Sequence, residues 1–172
     1  MPVGPGTRQG ARTLADSEAA GHDTGVQFQR SNLVVRDLER SLAIYRDILG
    51  LTIDYMKDSE KTSYSYTVFN IPAAASLRFC TLSAEGQLRT LALTEITGVE
   101  LPLAPSTPRL AALVMRVEAM DAVLEALRAR DDVMLYPEQV LRTQDGRTGR
   151  EIGVVDPDGH LIVLFSITRA AD

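Results

Sequence analysis

The sequence predicts an α+β protein in which two tandem βαβββ modules form a curved, partly open mixed β-barrel with the helices outside. The order strand, helix, strands occurs twice, and the apolar positions of the two halves align at a constant offset of 82 residues. Val35 thus aligns with Val117, and Leu42 with Leu124. The repeat indicates an internal duplication, and the concave side of the two sheets is expected to enclose a cavity.

The first module is predicted over residues 25–96. A strand over Val26–Val35 precedes Asp37, whose side chain suits the N-cap of a helix that begins at Leu38. Apolar residues at helical spacing continue this helix, and Gly50 ends it. Strand-like runs then follow at Leu51–Met56, Thr62–Phe69, Ser76–Leu82 and Leu88–Ile96.

The second module is predicted over residues 109–168, after a proline-rich linker over residues 97–108. A strand over Arg109–Val117 leads to an amphipathic helix that contains Met120 and Leu127. The segment Asp156–Gly159 has the composition of a type I turn. Short strands are expected around Val133–Tyr136, Leu141, Glu151–Val155 and Leu161–Ile167, the one at Leu141 with the weakest pattern.

Composition excludes several classes of function. The net charge is -5 and there is no basic cluster, which argues against a nucleic-acid partner. No apolar run approaches the roughly 18 residues that cross a bilayer, so no membrane partner is expected. Residues 1–24 contain few large apolar side chains and predict a disordered tail, and residues 169–172 a short C-terminal tail. Cys80 is the only cysteine and no secretory signal is recognisable, which indicates a cytoplasmic protein.

Two segments resemble a known family. Residues Val35–Leu51 resemble the signature V-x-D-L-x-R-S-x-x-F-Y-x-x-x-L-G-L of the vicinal oxygen chelate superfamily, which includes glyoxalases, bleomycin resistance proteins and dioxygenases. Asp156–His160 is similar to the D-P-D-G-N turn before the last strand of these proteins. The resemblance implies the two-module fold. It does not imply one activity, because this fold carries isomerases, epimerases, dioxygenases, thiol transferases and drug-binding proteins.

The resemblance also locates the metal site of the metal-dependent members. Three of its four ligand positions fall on Arg30, Ala112 and Val163, and the nearest carboxylate to the fourth is Glu95. Arginine repels a cation, and alanine and valine have no donor atom. We therefore predict that the metal site is lost and that the protein has no cofactor. A metal-dependent glyoxalase or dioxygenase is the alternative if the alignment is out of register.

Strand alternation predicts which side chains share the former ligand face. This face would be largely apolar with one cation and one amide, and would suit a hydrophobic or aromatic anion clamped by Arg30 and oriented by Asn32. Alternatively, Arg30 is partly exposed and pairs with a carboxylate, and Asn32 is an ordinary satisfied strand amide. The predicted ligand-binding residues are Phe28, Arg30, Asn32, Leu110, Ala112, Val114, Leu161, Val163 and Phe165.

Three functions fit these features. The first is a metal-independent binding protein for a small hydrophobic or aromatic molecule. The second is a metal-independent lyase or isomerase with Glu95 or His160 as acid or base, although His160 also suits a solvated turn. The third is a structural subunit that acts through its dimer surface. The resemblance implies a homodimer in each case. Residues 142–151, rich in arginine and glycine, fit either a flap over the cavity or a plain hairpin.

Overall fold

The computed structural model describes residues 27–102 and 107–167 of the chain. The predicted tails over residues 1–24 and 169–172, and part of the predicted linker, lie outside the described residues. Within the two described ranges, no helix is both long enough and apolar enough to cross a membrane.

The first module forms a four-stranded mixed sheet with one principal helix. Asp37 caps this helix as predicted, because its carboxylate accepts a hydrogen bond from the Arg40 backbone N–H at 2.9 Å. The strand order is β1-β4-β3-β2, with β1 parallel to β4 and the other pairs antiparallel. The elements are β1 (Ser31–Val35), α1 (Leu38–Tyr45), β2 (Thr52–Ser59), α2 (Ser65–Val68), β3 (Ser76–Ala84) and β4 (Gln87–Thr97).

The predicted strand over Thr62–Phe69 is wrong, because its centre is the short helix α2. Tyr66 explains the difference. Its buried ring packs in a small apolar cluster with Leu77 and Ile96, and its hydroxyl donates to the Ala75 carbonyl at 3.0 Å. This tertiary packing overrides the β propensity of the aromatic and β-branched residues in the segment. The three remaining strands after α1 complete the predicted βαβββ order.

The second module forms a five-stranded sheet with the same plan. Its first strand, β5, is parallel to its last, β9, while β8 is antiparallel to β9, β6 and β7. The weakly predicted strand at Leu141 is confirmed as β7. The elements are β5 (Ala112–Arg116), α3 (Met120–Arg128), β6 (Met134–Leu135), β7 (Gln139–Arg142), β8 (Thr148–Val155) and β9 (Leu161–Ile167).

The internal repeat is evident in this plan. Helix α1 begins at Leu38 and α3 at Met120, which reproduces the offset of 82 residues. In each module the first strand pairs in parallel with the last. Two mixed sheets with few helices among the described residues confirm the predicted α+β class.

One apolar core joins the two modules. It contains the buried faces of α1 and α3 together with the sides of both sheets that face these helices, including Leu93 of β4 and Leu164 of β9. Cys80 is buried in this core as predicted, and burial raises the pKa of its thiol. Because a shared core of this kind fixes the relative position of the modules, the segments at their boundary can form a defined site.

Candidate functional site

The two segments that carry the family resemblance bind each other across the module boundary. Oδ1 of Asp158, in the turn of the second module, lies 3.0 Å from Arg36 Nη1 and 3.0 Å from Arg40 Nη2 of the first module. It also accepts a hydrogen bond from the Arg36 backbone N–H at 3.3 Å. The Asp158 side chain is only 1% exposed, whereas both arginine side chains are about one-third exposed. These signature residues therefore link the modules.

Asp156 of the same turn is the centre of a second buried network. Its Oδ2 accepts a hydrogen bond from the Tyr45 hydroxyl at 2.9 Å and lies 2.9 Å from His160 Nδ1. Its Oδ1 accepts from the backbone N–H groups of Asp158 and His160. Burial by itself would raise the pKa of Asp156, but the hydrogen bonds and charge of His160 and the Tyr45 hydroxyl outweigh it and lower the pKa. Asp156 is therefore an ionised carboxylate.

An ionised carboxylate can only accept hydrogen bonds, so it fixes the tautomer of His160. Nδ1 of the imidazole must carry the proton that points to Asp156, and Nε2 is the remaining ring nitrogen. Tyr45 responds in the opposite sense, because burial, followed by the negative charge of Asp156, raises the pKa of its hydroxyl well above the usual value. Tyr45 is thus a core residue and in addition a hydrogen-bond donor.

A cavity of about 590 Å³ lies between the two modules. The exposed edges of β1 (residues 31–34) and of the β5 region (residues 110–113) form two of its walls. The turn over residues 158–161 and the pair Leu101 and Pro102 complete the lining. Strands β1 and β5 do not pair with each other. The cavity therefore lies between the edges of two separate sheets.

The lining is mostly apolar with a few polar groups. Asn32 accepts a hydrogen bond from the Thr94 hydroxyl at 3.0 Å through Oδ1, while its buried Nδ2 has no hydrogen-bond partner among residues 27–102 and 107–167. The guanidinium group of Arg36 binds Asp158 and donates to the Pro102 carbonyl at 2.6 Å. His160, with a side chain that is 24% exposed, is also among the lining residues.

The structure gathers only part of the predicted ligand-binding set at this cavity. Asn32, Leu110, Ala112 and Leu161 line it. Val114, Val163 and Phe165 are not in its lining, but they share with Ala112 and Leu161 the side of β5 and β9 that faces away from the main core, as predicted. Phe28 and Arg30 are exposed in the segment before β1.

Two strands begin later than predicted, so the assignment of Phe28, Arg30 and Leu110 to strand faces is wrong. In the first module the ladder between β1 and β4 begins at the pair of Ser31 and Leu91. Arg89 of β4 has a φ of 53°, a left-handed conformation that interrupts a regular ladder. The residues before Ser31 therefore have no regular strand partner, and Arg30 is exposed rather than buried.

Glu95 lies on the opposite side of the sheet from that predicted. It shares with Leu91 and Leu93 the side of β4 that faces the main core, where its Oε1 accepts a hydrogen bond from the Leu38 backbone N–H at 2.7 Å. A carboxylate at a helix N-terminus satisfies a free N–H group and interacts favourably with the helix dipole. The prediction of Glu95 as a cavity acid or base is therefore wrong. The alternation Leu91, Leu93, Glu95 was a signal for this orientation in the sequence.

The side chains at the family's metal positions do not suit a divalent ion. Arg30 is a cation, Ala112 and Val163 have no donor atom, and Glu95 caps α1. In the part of the chain that the structure describes, no group of three or more His, Cys, Asp and Glu side chains is placed to hold a metal ion. Among the lining residues are the carboxylate of Asp158, which is paired with the Arg36 guanidinium group, the amide of Asn32 and the apolar side chains of both modules.

The arginine-rich segment over residues 142–151 forms the hairpin between β7 and β8. Its two candidate arginines are engaged in ion pairs. Arg147 lies 2.8 Å from Asp145, and Arg150 lies 2.6 Å from Asp121 and 2.5 Å from Glu138. The arrangement corresponds to the hairpin alternative, and neither arginine lines the cavity between the modules.

The sequence analysis missed the polar network around the turn. Asp156 and Asp158 were identified only as turn formers, and Arg36 and Arg40 only as members of a signature. Their combination contained a signal, because two acidic residues in one short turn and two arginines four residues apart have complementary charges. The separation of more than a hundred residues concealed that they meet.

Fold and site together define a two-module α+β protein with a cavity at the boundary between its repeats. The chain belongs to the Glyoxalase/Bleomycin resistance protein/Dioxygenase superfamily, whose family model matches residues 27–164. A comparison with curated protein sequences finds no match.

Solved structures share the fold at low sequence identity. A glyoxalase family protein from Bacillus cereus is 13% identical, with a TM-score of 0.68 over 87% of this chain and 99% of that one. The trypanothione-dependent glyoxalase I of Leishmania major is 22% identical, with a TM-score of 0.54 over 82% of this chain and 86% of that one. The fosfomycin resistance protein FosX from Listeria monocytogenes, solved with Mn(II) and sulfate, is 20% identical, with a TM-score of 0.51 over 85% and 94%. At such identities the likeness concerns the fold and not the activity.

Proposed function

We propose that this protein binds a small hydrophobic or aromatic molecule, an anion in its bound form, in the cavity between the modules, without a metal ion. The cavity itself carries the proposal. Its volume of about 590 Å³ lies within the range of small-molecule sites, and its apolar walls with a few polar groups have the usual composition of such sites.

Independence from metal is supported by the side chains at the family positions. Catalytic metal sites require several protein ligands to fix the geometry around the ion, and Arg30, Ala112 and Val163 provide none. Glu95, the carboxylate closest in sequence to the fourth position, is engaged with the N-terminus of α1, and the cavity carboxylate Asp158 is paired with Arg36 and Arg40. The proposed function therefore depends on shape, apolar contact and hydrogen bonding.

An anionic ligand is supported by the cations near the cavity. Arg36 contributes to the wall, with a side chain that is 35% exposed. Arg30 is exposed directly before Ser31, which lines the cavity, so its flexible side chain could close over a bound carboxylate or phenolate. The amide of Asn32 would orient such a ligand.

We also propose that the protein is a cytoplasmic homodimer. Several large apolar side chains outside the core are exposed in the single chain, including Leu110 at 93%, Phe28 at 82% and Val114 at 65%. A second copy that covers them would remove unfavourable apolar surface from water. Sedimentation equilibrium tests the dimer, and a monomer at micromolar concentration would contradict it.

A metal-independent lyase or isomerase is the second candidate, and the pairing of His160 with Asp156 favours it. A histidine held by a buried carboxylate at a cavity wall has the arrangement of a general base. Turnover of any bound compound with a pH profile that depends on His160 would distinguish this enzyme from a binding protein.

The experiment that tests the proposed function is a calorimetric titration with a series of benzoates and naphthoates. In the variant Ala112→Trp a large side chain fills the cavity, so we expect affinity to fall by about tenfold or more. The matched control is Ala122→Trp, at an exposed position of α3 outside the cavity. If both variants retained saturable binding, the ligand would bind outside this cavity. Arg30→Ala tests the clamp separately, because unchanged affinity would remove Arg30 from the site.

A further inference from the structure

The imidazole of His160 is held in one orientation at the wall of the cavity. Its Nδ1 lies 2.9 Å and 3.2 Å from the two carboxylate oxygens of Asp156. Asp156 is itself fixed by the hydroxyl of Tyr45 and by two backbone N–H groups of its own turn. In a neutral imidazole whose proton is on Nδ1, Nε2 is a hydrogen-bond acceptor.

We propose that His160 accepts the proton of an acidic hydroxyl on the ligand, so that a phenol or an enol is bound in the cavity as its anion beside an imidazolium. The proposal deepens the binding function above and rests on it, because it specifies which chemical class the cavity selects. It also explains how an apolar cavity could hold an anion: the ligand enters the cavity in its neutral form and loses its proton there.

The proton balance of this step is simple. The O–H bond of the ligand breaks, the proton forms an N–H bond with Nε2 of His160, and the electron pair stays on the ligand oxygen. The products are an oxyanion and an imidazolium, and no other reactant is needed. The Nδ1 proton remains between His160 and Asp156, so the new positive charge lies between two anions: the Asp156 carboxylate and the ligand.

The charges that surround His160 suit this transfer. The carboxylates of Asp156 and Asp158 lie in its own turn, and Asp158 is bound by the guanidinium groups of Arg36 and Arg40. The remaining titratable neighbour in the network, Tyr45, is a neutral donor to Asp156. An imidazolium therefore adds a positive charge directly beside the Asp156 carboxylate, which has no arginine partner within the described ranges.

Two probes of similar shape test the inference: p-nitrophenol, whose anion is yellow, and 4-nitroanisole, its methyl ether, which is one methyl group larger and cannot ionise. At a pH about one unit below the pKa of free p-nitrophenol, we expect the protein to increase the yellow phenolate absorbance and to bind the phenol at least about tenfold more tightly than the ether. The critical variant is His160→Asn. Asparagine is the residue at this position in the D-P-D-G-N turn that the segment resembles, and its side-chain amide can still donate a hydrogen bond to Asp156.

In His160→Asn we expect loss of the phenolate absorbance and about equal affinity for the two probes. Arg147→Ala, in the hairpin outside the cavity, is the control and should behave as the wild type. Binding of both probes to the wild type without phenolate absorbance would overturn the role of His160 and leave the binding function standing. Phenolate absorbance that persists in His160→Asn would also overturn the role of His160. Failure of both probes to bind would overturn the binding function together with the inference.

Discussion

Asp158 offers the sharpest test of how the modules are joined. In Asp158→Asn the side chain keeps its size and can still accept the hydrogen bond from the Arg36 backbone N–H, but it loses the charge that pairs with Arg36 and Arg40. Removal of one partner from a buried ion pair costs about 3–5 kcal/mol. Both arginines are about one-third exposed, so solvent reduces the penalty, and we expect a loss of about 2–3 kcal/mol in the free energy of unfolding.

The assay is equilibrium unfolding in urea, monitored by far-ultraviolet circular dichroism. A matched control is Asp145→Asn, which removes the charge of an exposed carboxylate paired with Arg147 and should leave the urea midpoint unchanged. An Asp158→Asn midpoint equal to that of the wild type would refute the reasoning, because it would show that the charge of the turn does not hold the modules together. A change in the slope of the unfolding free energy against urea concentration would instead indicate that the modules unfold separately.

Three further predictions follow from the contacts described above. Tyr45→Phe removes a donor to the ionised Asp156 and should cost about 1.5–3 kcal/mol at pH 7. Because the pKa of Asp156 is lowered in the folded protein, its contribution is present above about pH 4 and is lost as the pH falls through the folded pKa. The difference between Tyr45→Phe and the wild type should therefore shrink in urea unfolding at pH 3, and a constant difference would contradict the link to Asp156. Glu95→Ala removes the cap on the Leu38 N–H and should destabilise the protein by about 1 kcal/mol without a change in ligand affinity; a loss of affinity would place this carboxylate in the site after all. Elemental analysis of protein purified without chelators should find less than one divalent metal ion per chain, and a stoichiometric ion would disprove metal independence.

Local patterns in the sequence were sufficient for most of the fold. The period of the apolar residues, the Asp37 cap and the 82-residue repeat specify where helices and strands occur and in which order. The error at Thr62–Phe69 shows the limit of such patterns, because Tyr66 folds the segment back onto Leu77 and Ile96. Contacts between segments distant in sequence decide such cases.

The candidate site was less accessible to sequence reasoning. Asn32, Ala112 and Leu161 line the cavity, as strand alternation, a short-range property, suggested; their role in binding a ligand stays a prediction. Phe28 and Arg30 precede the first strand instead, because the length of a strand depends on whether the neighbouring chain continues to pair with it. For His160 the sequence left two roles open, a solvated turn residue and a base. The buried Asp156 carboxylate beside its imidazole favours the base.

The sequence by itself determined the family, the double βαβββ plan and the side chains at the positions that the resemblance assigns to metal ligands, since these depend on the order and spacing of residues. Only the tertiary structure decided that Glu95 caps a helix, that Asp158 joins two arginines of the other module, and that His160 pairs with Asp156 beside the cavity. The physical reason is that charge pairing and burial depend on distances through space. Those distances are set by the common core of the two modules and are not encoded in any single segment.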